Sequence, residues 1–304
     1  MSSVVEPFYV KMNGSPVARK RQFGVSTHLY HNVRLSRDHL VEIAAHGFET
    51  IEVFATRTHF DYHNPAAIAD LQQWLAESGL ELHGIHAPIG ESYIAGRWGP
   101  PLSIASVDAD ARAHAMAEAE RALHIARRIP VKVLVAHLGL PRTPQPAAAE
   151  NGRDAGRRSI EALQRLAAPL GVRVAVEVIP NELSRVGSLV HFIEEDLDLD
   201  ELGAPEVGIC LDFGHAHMDG DLLDAIETVS GHLITTHVHD NRGRADDHLV
   251  PFEGTIDWPA ALTAVQKIGY DGTLLFEIGA HGPARETLKQ ARKARERMEK
   301  LLRD

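Results

Sequence analysis

VGICLDFGHAH, residues 207–217, sets the reading of the fold: the apolar run VGICL (207–211) passes straight into a carboxylate, Asp212. A short run that is apolar at successive positions fits a strand covered on both faces, as in a parallel sheet flanked by helices. Working outward, the same kind of run recurs at QFGVS (22–26), TIEVF (50–54), LHGI (82–85), KVLVA (132–136), RVAVE (173–177), LITTHV (233–238) and TLLFE (273–277). Stretches of helical period separate them, among them 36–47, 64–79 and 107–128, and another follows at 283–302. Asp38 and Asn64-Pro65 read as helix starts, Gly47 and Gly79 as stops. Eight such alternations predict an α/β fold, a single-domain (β/α)8 TIM barrel, rather than a doubly wound sheet. Residues 1–21 are expected to form an N-terminal arm and 22–304 the barrel catalytic domain.

The composition agrees. The 304 residues are 44% hydrophobic and 24% charged, with 24 Gly, 16 Pro and one Cys, which excludes collagen-like, disordered and disulfide-framework classes. Cys210 alone cannot form an internal bridge, no apolar run reaches a bilayer-spanning length, and the N-terminal residues lack a signal-peptide pattern, so a cytoplasmic enzyme is expected. The net charge of −11 disfavours nucleic acid as a partner. GYDG (269–272) and GAHG (279–282) read as a turn and a loop, and no Gly-rich dinucleotide or phosphate-cradling motif is present. Two long βα loops, 89–106 with Tyr93, Arg97 and Trp98, and the Pro-rich 141–152, are expected to border the active face.

In a TIM barrel, catalytic groups come from the C-terminal ends of the strands. That position reads His28, Glu52, His86, His137, Glu177, Asp212, His237 and Glu277, all polar or ionisable. Any one of them alone reads equally well as a core histidine or a carboxylate paired with arginine. Their convergence on one rim favours a site, because buried carboxylates such as Glu177 and Glu277 need compensating charge. Mixed His/Asp/Glu ligation without thiolates suits zinc, manganese or a related first-row metal. His215, three residues beyond Asp212, and the D-x-H pair Asp246 and His248 extend the candidate set. His239, two residues beyond His237, is assigned to the surroundings of the site or the core; His217 has no assigned role.

The ordered motifs VEVIPN, CLDFGHAH, HVHDNRGRADDHLVPFEGTIDW and YDGTLLFEIG resemble the xylose-isomerase-like barrel superfamily over residues 22 to about 280. That group holds sugar isomerases and epimerases together with abasic-site nucleases of the endonuclease IV type. The resemblance to the epimerase branch implies one divalent metal on Glu177, Asp212, His237 and Glu277, with His237 preferred over His239 because Asp240 follows it by three. The nuclease branch implies further zinc ligands at His86, His137, His215, Asp246 and His248, for two or three ions in all. The first-strand region, GVSTHLYHNVRLSRDHLVEIAAHGFETIEVF, looks like the isomerase branch, and the acidic balance departs from the basic face of a DNA binder.

The favoured expectation is therefore a divalent-metal-dependent isomerase or epimerase of a sugar or sugar-like polyol, with zinc or manganese as cofactor. Glu177 and Glu277 would remove and return a proton through an enediolate beside a metal-polarised carbonyl. His215, by resemblance, would bind a substrate oxygen; His28, Trp98 and Arg242 are further candidates for substrate contact, with Tyr30 as an alternative cover for the sugar face. The alternative is a multinuclear-metal phosphoesterase resembling endonuclease IV. A small carbohydrate is the expected partner, with neither nucleic acid nor membrane; a homo-oligomer is compatible with the chain.

Overall fold

The computed structural model describes residues 21–142, 148–198 and 207–303. Eight strands alternate with helices: β1 (Phe23–Ser26), β2 (Thr50–Phe54), β3 (Glu81–His86), β4 (Val133–His137), β5 (Arg173–Glu177), β6 (Val207–Asp212), β7 (Leu233–Val238) and β8 (Leu274–Phe276). They close into a barrel in which each strand pairs in parallel with its sequence neighbours and β8 returns to β1. All eight expected strands are present, within a residue of the expected ends. Most of the N-terminal arm, and 143–147 of the Pro-rich loop, lie outside the described residues.

The helical signals act as the local chemistry requires. Asn64 caps Pro65–Ser78 by accepting from the Ala66 N–H, and Gly79 ends that helix at φ 71. The expected helix over 107–128 is α-helical from Ala109 to Leu123, capped by Asp108, and tightens to a 3₁₀ turn over His124–Arg127. The loop at 89–106 is less irregular than the sequence suggests, because Tyr93–Ile94 pairs antiparallel with Arg97–Trp98.

The main apolar core lies between strands and helices, where Val25, Ile51, Leu134, Val176 and Leu211 meet Leu40, Leu71, Ile160 and Leu262. Val133, Val135, Ala175 and Cys210, with Ile234, form a separate buried cluster. By alternation the first four share the face of His137, Glu177 and Asp212, so this cluster fills the barrel below the strand ends. Register then sets the site: His137 lies beside Glu177, and Asp212 beside His237. Glu52 is the exception among the expected strand-end residues. It sits in the middle of β2, a turn of the pleat below the rim, opposite Gly84.

Candidate metal centre

Glu177 and Asp212 close β5 and β6, His237 is the penultimate residue of β7, and Glu277 follows β8 directly. One ligand atom from each lies within 4.8 Å of every other. His237 Nδ1 stands 3.2 Å from Glu177 Oε1, 3.4 Å from Glu277 Oε2 and 4.0 Å from Asp212 Oδ2. This nitrogen is buried and, among the described residues, has no hydrogen-bond partner. Its other nitrogen donates to Glu52 Oε2 at 3.1 Å, and Ser26 Oγ donates to Glu52 Oε1 at 3.1 Å.

Two more groups adjoin it. His86 Nε2 and His137 Nε2 stand 3.0 Å and 3.1 Å from Glu177 Oε2. His86 Nδ1 donates to the Ala87 carbonyl at 2.8 Å, which leaves Nε2 as the nitrogen that faces the site. On the far side, His215 Nε2 and His248 Nε2 stand 3.1 Å and 3.2 Å from Asp246 Oδ2. His248 holds a left-handed backbone with φ 45, an unusual conformation for a residue with a side chain.

His239 belongs to this group rather than to the core. Residues two apart on a strand share a face, and His239, one residue past the end of β7 at Val238, stays on the side of His237, both rings lying near Asp212. The His239 ring turns back to place Nε2 3.1 Å from Asp212 Oδ2 and stacks on His248 at 4.1 Å. Gly214 makes the room: a Cβ there would stand 1.9 Å from His239 Cε1. Two other expectations fail. Arg242 is 62% exposed beside Asp247 and does not line the site cavity. Tyr30 is buried against His39, with its hydroxyl donating to Glu42, and cannot cover a sugar.

Among the described residues, Glu52, Glu177, Asp212, Asp246 and Glu277 have only histidines as ion-pair partners. Burial disfavours charge here, yet His86, His215, His237 and His248 are raised, and Glu52, Glu177, Asp212 and Asp246 lowered, by one another. Burial alone would lower His237, but the neighbouring acids raise it well above the ordinary histidine value. The adjacent Cys210 thiol is itself pushed up by burial and stays neutral, so the carboxylates carry that effect. Against the same burial, Glu177 and Asp246 raise His86 and His248 to about 9. Although burial works the other way, Glu177 is held below the carboxylate range by His237 and His137, and Asp246 by His248 and His215. His28, by contrast, is lowered by burial and by His248, and so is neutral at pH 7.

Protons therefore occupy the positions at which a cation would satisfy the same acids. Three carboxylates around a buried, unpartnered imidazole nitrogen fit a first-row divalent ion. The site opens into a cavity of about 310 Å³, at the small end for ligand sites, whose walls include His28, Phe54, Ile89, Trp98, Pro141 and His215. Both expected loops thus border it, through Ile89 and Trp98 of one and Pro141 of the other. Larger hollows of about 440 and 640 Å³ elsewhere contain none of these ligand groups.

A closed parallel barrel with an acid–histidine centre at the C-terminal ends of its strands defines the class. The chain belongs to the xylose isomerase-like TIM barrel family, whose model matches residues 40–301. It is 26% identical over 264 residues to the uncharacterised protein MJ1311 of Methanocaldococcus jannaschii, covering 84% of this chain and 83% of that one. It is 23% identical over 247 residues to the D-psicose 3-epimerase of Enterocloster bolteae, covering 79% and 76%. Among solved structures, the IolI protein with a bound zinc atom superposes with a TM-score of 0.70 at 18% identity, covering 91% of this chain and 97% of that one. Among the described residues, no helix is long and apolar enough to cross a membrane.

Proposed function

We propose that this chain is a divalent-metal-dependent isomerase or epimerase of a sugar or sugar-like polyol. The carrying observation is the buried His237 Nδ1, unpartnered among Glu177, Asp212 and Glu277, two of which, Glu177 and Glu277, line a small cavity. Those four side chains would hold one manganese or zinc ion, which supplies Lewis acidity to a substrate carbonyl and its neighbouring hydroxyl. Glu177 from the end of β5 and Glu277 from the end of β8 would remove and return the proton on the adjacent carbon. His86 and His137, both on Glu177 Oε2, orient that carboxylate. His215 and the neutral His28 can meet substrate oxygens, while Trp98 offers a face to the C–H side of a sugar. The D-psicose 3-epimerase relative supports this class of reaction.

A second reading, phosphoester hydrolysis at several metal ions, draws on the ligand groups His86/His137/Glu177 and His215/His239/Asp246/His248. The sugar-acting relative weighs against it. One experiment separates them. Protein stripped by chelation is reloaded with Mn²⁺ or Zn²⁺, its ions counted, and incubated with ketoses, aldoses and inososes in D₂O. Metal-dependent deuterium incorporation beside the carbonyl is expected. Cleavage of a bis-aryl phosphate with no deuterium incorporation would overturn the isomerase reading in favour of the hydrolase.

A further inference from the structure

We propose that Glu52 is a positioning residue: backed by Ser26, it fixes His237 as the Nε2–H tautomer and so presents Nδ1 to a divalent cation between Glu177, Asp212 and Glu277. The inference rests on the metal-centre reading above.

Glu52 is 1% exposed and, among the described residues, its carboxylate meets only His237 and Ser26. A buried carboxylate with neither lysine nor arginine beside it is costly, so an apolar residue would serve the barrel better if packing were the only demand. The backbone is shaped to admit it. The β2–β3 register shifts between Ile51 and Glu52, which sets Glu52 opposite Gly84. Irregularities of this kind re-aim side chains near active sites. A Cβ at Gly84 would stand 3.2 Å from Glu52 Oε2, so a side chain there would crowd the carboxylate.

Three other histidines of the centre are oriented differently. His86, His215 and His248 each direct Nδ1 to a backbone carbonyl, of Ala87, Val178 and Glu277, at 2.8, 3.0 and 2.8 Å. Those three present Nε2 to the site. His237 has the reverse arrangement, with a carboxylate on Nε2 and Nδ1 left free. A carboxylate accepts the Nε2 proton more strongly than a carbonyl does, which both selects the tautomer and makes Nδ1 a stronger donor to metal. Ser26, anchored in β1, leaves Glu52 one orientation rather than several.

The test measures zinc affinity by calorimetry on the full chain, for wild type, Glu52→Gln, Glu52→Ala and Ser26→Ala, with the histidine ring-nitrogen NMR spectrum of each zinc-loaded protein. Glu52→Ala is expected to weaken zinc binding by about 10- to 100-fold, the usual effect of losing such a partner. Glu52→Gln, which still accepts from Nε2–H, should bind more tightly than Glu52→Ala, and Ser26→Ala should lose least. The wild-type spectrum should show His237 with a protonated Nε2 and a zinc-bound Nδ1. Wild-type affinity in Glu52→Ala overturns the proposal while leaving the metal centre standing. Should Glu52→Ala fail to fold, the wild-type spectrum decides, and ligation through Nε2 overturns the proposal. A wild type that binds no zinc overturns the metal-centre reading and the proposal together.

Discussion

Loading the centre with a divalent ion should release protons, and the number follows from the histidines. At pH 7 His237 is held well above its ordinary value and His86 at about 9, so both rings are protonated before metal arrives. Ligation through His237 Nδ1 must expel one proton. The cation also neutralises Glu177, 3.0 Å from His86 Nε2, and so weakens the hold on a second proton. The release should therefore lie between about one and two protons per ion, with affinity rising roughly 10- to 100-fold per pH unit between pH 6 and 8. Calorimetry in buffers of different ionisation enthalpy counts the protons directly. The metal-free protein should show the complementary trend in stability. His86 and His248 have folded pKa values raised to about 9, so their contribution is complete below the unfolded value near 6.5 and disappears as pH rises through 9. At about 1.4 kcal/mol per pH unit, this is on the order of 3 kcal/mol for each ring. Metal-free protein should lose melting temperature from pH 6.5 to 9, and metal-loaded protein should lose less. No proton release and a pH-independent affinity would refute His237 as a ligand.

Three further outcomes are expected. Glu177→Gln and Glu277→Gln should each abolish turnover with the fold retained by circular dichroism; near-wild-type activity in either, with metal bound, would remove the two-base scheme. Trp98→Ala should raise KM by about tenfold, roughly 1.4 kcal/mol of lost contact, with a smaller change in kcat, read from steady-state kinetics on whichever sugar is turned over. Asp240→Ala should destabilise the protein by about 3–5 kcal/mol in urea titration, because the buried carboxylate accepts from the Trp258 indole at 2.8 Å and from the Asn241, Phe252 and Ile256 N–H groups. That loop also carries Asp246 and His248, so metal affinity should fall with it.

Most of the barrel, and much of the acid–histidine centre, follows from local pattern alone. Eight apolar runs of β-branched residues can only be buried on both faces, and an ionisable residue where such a run stops is carried to the open rim by strand geometry. Hence Glu177, Asp212, His237 and Glu277 could be named from their places along the chain, and His86 and His137 likewise. Partnership across the barrel is another matter. Glu52 lies 185 residues from His237, and only closure of the barrel, with the β2–β3 register shift, brings the two within 3.1 Å. His239, two residues beyond His237, shares its side of the chain, but its contact with Asp212 of the neighbouring strand exists only in the closed barrel. Arg242 looked apt in sequence, yet it points to solvent, since no local pattern says which way a loop side chain faces. Strand periodicity thus determined which residues reach the rim, whereas the contacts among them, made between strands distant in sequence, were decided only by how the barrel closes.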